Sequence, residues 1–491
     1  MRSGLLPDWE PRRGAVTAWR ASRRSKDAVR SARSAPAHPS YIQRRHFVDA
    51  AGAQTGKRRS SFAVVTFDIH DAYDERLVAD VFRDHLRRHS VYHTWVEHDG
   101  ERYTGRTIDA DDIDVEVDPS IGGVVEADAL RAYVDGDLPD IAEWDMFRLI
   151  AIRPEETPDR FTLAFVVDHF YSDGVSLGIV LYEFVTAYRA ARSGERPRLP
   201  GVEGYHAYCA EEKEHCEELT WSHEDVQRWA ELLLRAGGRL PRFPLPLGLS
   251  EHVRVPGRGH MIEGAVDATT LDAFAAACRD AGGNLNSGVL AVASMLDAIV
   301  TGSPVYSMLT PVSTRSRRSQ ILSVGWYTRL VPVQFPRPAD PLDFVAVVQG
   351  AQRGVEESRA FARTPLHRVI EVLPVGGDET LPIDFAAPMI SYLDLRSLPG
   401  NNLPVTHDMH VYGSVDDSRE VFVWLNRTPH GLDVNVIHPD TETAVRSTTA
   451  YTDAFVAIVA SIATHGRVVE SDIAPQLEAL RAAAGAEQVA A

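Results

Sequence analysis

The sequence predicts an α/β protein with mixed sheets, for three reasons. Apolar runs rich in β-branched residues alternate with stretches of helical periodicity in both halves of the chain. Residues 160–167 are almost wholly apolar, as expected for a strand buried on both faces. Proline-rich breaks at 196–200 and 240–246 separate the two halves. A mixture of strands and helices in each half makes α/β the best class.

In the first half, regular structure is expected to begin near residue 61, after a segment rich in Arg, Ser and Ala. Residues 74–89 form an amphipathic helix, because their apolar residues recur every three or four positions. A turn at Asp99 and Gly100 joins two of the strands. The predicted strands are 62–69, 91–97, 101–108, 145–153 and 160–167, and a further helix covers 175–191.

The second half repeats this alternation after a region of charged helical stretches, which includes 224–234. The predicted strands there are 260–266, 305–311, 329–335, 389–395, 409–412, 421–425 and 432–437. The predicted helices are 269–281, 286–300, 342–357 and 442–465. The organisation is therefore an N-terminal lobe at 1–195, a linker region at 196–255 and a C-terminal lobe at 256–491.

Composition and charge exclude several classes of protein. The 491 residues carry a net charge of −18, although residues 1–60 hold 14 Lys and Arg against 4 Asp and Glu. An acidic body argues against nucleic acid as the main partner, and we expect the basic start to pack on that body. No run of 18 apolar residues predicts a transmembrane helix, and no apolar run behind the N-terminal arginines predicts a secretory signal. Three cysteines make no disulfide framework and no zinc pair, which fits a cytoplasmic protein.

A polar cluster follows the apolar strand at 160–167. His169 and Asp173 lie four residues apart on the loop that precedes the next helix, and Gly174 follows them. A neutral imidazole suits a general base near pH 7, and a glycine permits a tight turn and close backbone approach. The spacing alone is a weak pattern, and a structural histidine beside an apolar strand is the alternative.

The segments around this loop resemble the condensation-domain superfamily, whose hallmark is HHxxxDG. The second histidine is His169, and Asp168 stands where the motif has its first. Residues 310–315 (TPVSTR), 324–333 (VGWYTRLVPV) and 86–89 (LRRH) resemble further segments of the family, in the same order. Residues 8–11 (DWEP), 167–169 (VDH), 243–248 (FPLPLG) and 325–328 (GWYT) resemble the mycobacterial polyketide-associated (Pap) acyltransferases, especially those that acylate trehalose in sulfolipid-type glycolipids. The resemblance covers about residues 8–465, so the basic start is expected to belong to the fold.

The resemblance implies a fold like that of chloramphenicol acetyltransferase, with two lobes, a mixed sheet in each and an active-site channel between them. It implies that His169 is the general base and that the acceptor hydroxyl attacks the thioester directly. No Ser or Cys stands in a GxSxG nucleophile elbow, in agreement with direct attack. Asp173 would pair with Arg315 to shape the loop, the alternative for Arg315 being a surface arginine.

Four further residues are candidates for the substrate channel, each with a bland alternative. Asp168 orients the loop or accepts a hydroxyl of a sugar, unless it only caps a turn. Trp326 and Tyr327 line the acceptor side, unless they are core aromatics. The Gly174 N–H is one candidate donor to the oxyanion and Ser391 is another, unless Ser391 is a buried strand serine.

Three functions remain open at this point. The first is an acyltransferase that moves an acyl group from acyl-CoA or a carrier-protein thioester to a hydroxyl of a trehalose-like sugar or a secondary-metabolite alcohol. The second is a free-standing condensation enzyme that forms an amide between carrier-bound substrates. The third is a catalytically silent scaffold. In the first two, any carrier protein or polyketide synthase acts in trans.

We expect no cofactor other than the thioester co-substrate, because no P-loop or dinucleotide motif follows a strand. No HExxH and no paired metal spacing is found among the histidines, so we expect no metal. The protein is expected to be a monomer in the cytoplasm, or peripheral to the inner face of the membrane, with no nucleic acid partner.

Overall fold

The computed structural model describes residues 2–35, 38–51, 61–98, 103–136, 138–139, 143–236, 240–250, 255–373, 387–400, 402–415 and 417–485. The strands are β1 (Arg2–Leu5), β2 (Gly14–Ala21), β3 (Arg33–Ala35), β4 (Phe62–Ile69), β5 (Thr94–His98), β6 (Tyr103–Thr107), β7 (Val115–Val125), β8 (Phe147–Arg153), β9 (Phe161–Asp168), β10 (Val255–Asp267), β11 (Val305–Ser313), β12 (Thr328–Pro336), β13 (Met389–Asp394), β14 (His410–Gly413), β15 (Asp417–Ser418), β16 (Phe422–Thr428) and β17 (Gly431–Pro439). The helices are α1 (Arg23–Arg30), α2 (Tyr41–Ala51), α3 (Glu75–Arg88), α4 (Ala127–Gly136), α5 (Gly174–Arg192), α6 (Tyr205–Glu218), α7 (Glu224–Arg235), α8 (Ala268–Asp280), α9 (Leu285–Thr301), α10 (Phe344–Ser358), α11 (Leu366–Val372), α12 (Leu403–Thr406), α13 (Glu442–His465) and α14 (Glu470–Gly485).

The chain divides into two compact units, each assembled from three stretches of sequence. Unit 1 comprises Met1–Glu218, Ser313–Thr328 and Ser397–Val415. Unit 2 comprises Leu219–Val312, Arg329–Arg396 and Asp416–Ala491. This division differs from the expected three ranges, because residues 196–218 join unit 1 and residues 219–255 join unit 2. Contacts between residues distant in sequence decide the membership, and a boundary read along the chain cannot represent them.

Unit 1 is built on a seven-stranded mixed sheet with the order β1-β14-β4-β9-β8-β2-β7. The central strand β9 pairs antiparallel with β4 on one side and with β8 on the other. Nearly all residues of β9 are buried, so the apolar run at 160–167 is confirmed as a strand that is covered on both faces. In the core, Phe82 of α3 makes an edge-to-face contact with Phe165 of β9. Phe184 of α5 packs against the same Phe165 ring at a tilt.

Unit 2 is built on a second seven-stranded mixed sheet with the order β12-β11-β13-β16-β17-β10-β15. Helices α8, α9 and α13 supply its core, in which Phe274, Leu296 and Phe455 are almost fully buried. Helix α13 has the predicted bounds, and its N-cap Thr441 accepts a hydrogen bond from the Ala444 N–H. The α/β prediction with a mixed sheet in each half is confirmed.

The N-terminal expectation is wrong in one respect. Regular structure begins with β1 and β2, well before residue 61, and β2 lies inside the unit 1 sheet between β8 and β7. The basic charges of this segment pair with carboxylates of the same unit, including Arg12 with Asp68 and Lys26 with Asp145. The prediction that the basic start packs on the acidic body is therefore confirmed. The predicted turn at 99–100 lies outside the described residues.

Among the helices of the described ranges, none is by itself long and apolar enough to span a bilayer. Only the pair α8 and α9, taken together across a bend of 91°, meets that criterion, by length and composition alone.

Candidate functional site

The candidate site begins where the buried strand β9 ends. Backbone hydrogen bonds fix the loop on both sides, since the Asp168 N–H donates to the Met146 carbonyl and the His169 N–H donates to the Ser61 carbonyl. Residues His169–Tyr171 then form a single 3-10 turn, and Asp173 caps the N-terminus of α5 through the Ser176 N–H. The rigid strand and the capped helix therefore hold His169 in a defined place.

His169 as a residue is half-buried, and its Nδ1 atom is buried and has no hydrogen-bond partner among the described residues. Burial lowers the pKa of His169, the nearby His46 lowers it further, and Asp168 and Asp173 act in the opposite direction. The imidazole is consequently neutral at pH 7, which is the state that a general base requires. The indole of Trp326 stacks on this ring at 4.0 Å between ring centroids, with 28° between the planes.

Asp173 and Arg315 form a bidentate ion pair across 142 residues of sequence, with distances of 2.7 and 3.0 Å. Both side chains are almost fully buried. Burial alone would raise the pKa of Asp173, but Arg315 and the hydrogen bonds from Ser176 bring it below its ordinary value. The Tyr327 N–H also donates to Asp173 at 2.9 Å. The predicted ion pair is present, and the surface alternative for Arg315 is wrong.

Asp168 is fully buried and accepts two hydrogen bonds on Oδ1. The Phe170 N–H lies 2.6 Å away, as in a cap of the 3-10 turn, and Nε2 of His46 lies 2.9 Å away. His46 comes from α2, 122 residues earlier in the chain, and it is itself buried. Sequence reasoning missed His46, although a carboxylate at the end of an apolar strand requires a cationic or hydrogen-bonding partner and could have prompted a search for one.

The remaining candidates are placed as follows. Tyr327 has no exposed area, like Asp168, so neither side chain lines a channel in this structure; Tyr327 belongs to the unit 1 core. Trp326 is partly exposed beside His169. Ser391 lies in unit 2, on β13 opposite Trp424, and is mostly buried, and its role as an oxyanion donor stays a prediction.

Gly174 is exposed at the first turn of α5, and a Cβ added there would meet no atom within 4 Å. Its φ is not in the left-handed region, so the backbone conformation at this position does not depend on a glycine. The absence of a side chain therefore leaves open space at the position that a Cβ would take, among the residues that the structure describes.

A second polar cluster in unit 1 corrects the expectation that the histidines lack paired spacing. His85 and His89 lie four residues apart at the end of α3, and their ring nitrogens both lie 2.9 Å from Oε2 of Glu183 on α5. The three donor atoms fall within 4.8 Å of one another, which is close enough for a metal site. Arg88 also donates to Glu183, through Nε at 2.8 Å.

The hydrogen-bond pattern of this cluster disfavours a metal. The Val324 N–H donates to Nδ1 of His89 at 3.3 Å, so the neutral ring carries its proton on Nε2 and donates it to Glu183. A protonated Nε2 has no lone pair to offer a cation. Burial lowers the pKa of His89 to about 4, against the field of Glu183, so this neutral form persists at pH 7.

Two units with a mixed sheet each, and a His-x-x-x-Asp-Gly loop that precedes a helix, are the features that the resemblance to the condensation-domain superfamily implies. The chain belongs to the condensation-domain family, because the model of the Condensation domain matches residues 40–392, well over half of its length. The predicted fold and family are thereby confirmed.

Relatives of similar length are acyltransferases. "Trehalose-2-sulfate acyltransferase PapA2" of Mycobacterium tuberculosis is 29% identical over 452 residues, which cover 91% of this chain and 94% of the relative. "Acyltransferase PapA3" of the same species is 27% identical, with 94% and 97% covered. Among solved structures, "PapA2 acyl transferase" matches with a TM-score of 0.82 at 27% identity, over 95% of this chain and 99% of that one. The X-domain from teicoplanin biosynthesis, at 17% identity and a TM-score of 0.66 over 90% and 98% of the two chains, shares the fold. The protein is an acyl-transferring enzyme.

Proposed function

We propose that the protein transfers an acyl group from a thioester, acyl-CoA or a carrier-protein thioester, to a hydroxyl of a trehalose-like sugar, and that His169 is the general base. The observation that carries this proposal is the placement of His169. It is the half-buried histidine of the HxxxDG loop, held at the end of a buried strand and next to the Asp173–Arg315 ion pair. Burial lowers the pKa of His169, which favours the neutral imidazole that a base requires. The names of PapA2 and of "2'-acyl-2-O-sulfo-trehalose (hydroxy)phthioceranyltransferase PapA1", which is 27% identical, support a trehalose derivative as the acceptor.

The reaction needs one proton to move twice. The acceptor oxygen attacks the thioester carbonyl carbon while His169 takes the hydroxyl proton, and a tetrahedral intermediate with a negative oxygen forms. When this intermediate collapses, the C–S bond breaks, the ester remains, and the imidazolium returns its proton to the departing thiolate. No acyl-enzyme is formed. A positioned base of this kind contributes about 100- to 10,000-fold to the rate.

The Asp173–Arg315 pair holds the loop and does not take part in proton transfer, because Arg315 and the backbone donors keep the carboxylate ionised and engaged. The open space at Gly174 leaves room for substrate at the N-terminus of α5, where backbone N–H groups favour developing negative charge. The proposal includes two further points. The protein acts in the cytoplasm or at the inner face of the membrane, and it uses no cofactor other than the thioester co-substrate.

The test is thioester-dependent CoA release by the purified protein, with a panel of acyl-CoAs and with trehalose or trehalose-2-sulfate as acceptor. Wild type is compared with His169→Ala and with the control His85→Gln, which alters a buried histidine of the same unit. An acylated sugar identified by mass from wild type and the control, but not from His169→Ala, is the expected result.

Other outcomes assign other functions. Transfer to an amine but not to a hydroxyl would replace the proposal with an amide-forming condensation enzyme. Turnover only with a carrier-bound donor would restrict the donor to that class. Folded protein without turnover on any donor, free or carrier-bound, would indicate a silent scaffold. A full rate in His169→Ala would remove His169 from the mechanism.

A further inference from the structure

The surroundings of Asp168 hold a feature that the HxxxDG pattern does not contain. A carboxylate with no exposed area stands directly before His169, and a buried histidine from a distant helix meets it at 2.9 Å. A buried carboxylate needs hydrogen-bonding or ionic partners, since burying a charge without them destabilises a protein strongly. His46 is one of the partners of Asp168, together with the Phe170 N–H.

The same histidine also contacts the aromatic residue that covers His169. The His46 ring meets the indole of Trp326 edge-on, at 5.4 Å between centroids and 72° between planes. Trp326 in turn stacks on His169, and His46 lies 6.4 Å from His169 by ring centroids. Three rings and one carboxylate thus form a contiguous group around the candidate base.

Further contacts tie α2 to this group. The Gln43 side-chain amide donates to the Phe170 carbonyl at 2.7 Å, which joins the first turn of α2 to the His169 loop. The Tyr205 hydroxyl lies 3.0 Å from both Ser40 Oγ and the Trp326 carbonyl oxygen, and so links the start of α2 to the backbone of Trp326. Because of these contacts, His46 reaches Asp168 and Trp326 from a helix that is anchored to both neighbouring segments.

We propose that His46 is a positioning residue for the reaction of His169. It pairs with the Asp168 carboxylate and packs in a T-shaped contact against Trp326, which keeps the indole stacked on the His169 ring. The proposal rests on the proposed function, with His169 as base. A stacked indole limits rotation of the imidazole and offers its π face to the imidazolium that forms when His169 takes the acceptor proton. A base that is held in its reactive orientation works faster than one that rotates.

The pair also sets the charge around His169. The titratable groups with the largest effect on the pKa of His169 are His46 from α2 and Asp168 and Asp173 from its own loop, with Asp173 held by Arg315. His46 lowers the pKa of His169, whereas Asp168 raises it. Removing one or the other should therefore move the titration of His169 in opposite directions, which simple damage to the fold would not do.

The experiment follows the His169 ring directly. Protein labelled with ¹³C at histidine Cε1 is titrated by NMR, with the His169 signal assigned by its loss in His169→Ala. We expect His46→Gln to raise the pKa of His169 and Asp168→Asn to lower it, each by on the order of half a pH unit. The control His85→Gln, a buried histidine paired with Glu183, should leave the His169 titration unchanged.

A kinetic measurement accompanies the titration. His46→Gln should reduce kcat by up to about 100-fold with a smaller change in KM, because the reacting ring and not the acceptor is misplaced. The acid limb of the kcat–pH profile of His46→Gln should move to higher pH by the same amount as the NMR titration of His169. If both variants fold and leave the pKa of His169 and kcat at wild-type values, the proposal is wrong. If His46→Gln does not fold, a pKa of His169 in Asp168→Asn that is unchanged or raised would contradict it equally.

Failure of the proposed function gives a different result. In that case wild-type protein transfers no acyl group in a His169-dependent way, while the NMR titration still shows whether His46 and Asp168 act on His169.

Discussion

Two histidine sites in unit 1, one buried and one half-buried, make opposite use of their ring nitrogens. His89 uses both ring nitrogens, accepting from the Val324 N–H and donating to Glu183. His169 has a buried Nδ1 with no partner among the described residues, and an indole stacked on its face. Both sites have lowered histidine pKa values because of burial. A histidine whose two ring nitrogens are both hydrogen-bonded is held in place and has a structural role. A half-buried histidine with an unpartnered ring nitrogen is available for proton transfer.

The largest expected difference between the two sites is in activity. His169→Ala should lower kcat/KM by about 100- to 10,000-fold and change the midpoint of thermal unfolding less than His89→Ala does, because Nδ1 of His169 has no hydrogen-bond partner to lose among the described residues. His89→Ala should lower the unfolding midpoint instead. Kinetics and thermal unfolding of the same two preparations check both statements. A stable and fully active His89→Ala would contradict the structural role of that site.

The next largest effect concerns the ion pair that holds the His169 loop. Arg315→Ala leaves the Asp173 carboxylate buried without its cation, and should cost about 3–5 kcal/mol of unfolding free energy. Urea unfolding measures this cost. Arg317→Ala serves as the control, because its ion pairs with Glu203 and Glu211 are exposed to solvent and should contribute far less to stability than the buried pair. Equal losses in the two variants would overturn the distinction.

Glu183→Gln tests whether the His85–His89 cluster works as a hydrogen-bond network. The change removes the charge that three donors share, and should cost about 1–3 kcal/mol of unfolding free energy. The folded fraction should keep its kcat/KM, since the contacts of the described residues include none between Glu183 and His169.

Metal addition gives the same test without a mutation. The unfolding midpoint should not respond to Zn²⁺ or to a chelator, because Nε2 of His89 carries a proton. A rise of the midpoint with Zn²⁺ in wild type, absent in Glu183→Gln, would instead establish a metal site.

The smallest effects are in the pH dependence. The folded protein holds the pKa values of His89 and His169 below 6.5, so the unfolded state binds more protons and stability falls as the pH decreases below about 6.5. His89→Gln should reduce this slope by up to about 1.4 kcal/mol per pH unit in that range. The acid limb of kcat/KM should lie below pH 6.5 in wild type and stay there in His89→Gln. Urea unfolding and initial rates at several pH values separate the two histidines.

The sequence was sufficient for the elements that carry the site. The apolar run of β9, the helical spacing of α3 and α5 and the loop between β9 and α5 are visible in the order of the residues. The pairing of Asp173 with Arg315 came from the resemblance to a family and is present in the structure. The reason is that strand burial, helix periodicity and caps depend on residues a few positions apart.

Only the tertiary structure determined which residues from distant elements pair with the residues of the two histidine sites. His46 reaches Asp168 across 122 residues, Trp326 stacks on His169 across 157, and Glu183 gathers His85 and His89 from another helix. The entry of 313–328 and 397–415 into unit 1 likewise follows from long-range contacts. Neither composition nor spacing represents such contacts, because they arise when sheets and helices pack and when each buried charge must find a partner. The chain's local order therefore determined where the loop stands, and packing determined the state of its histidine.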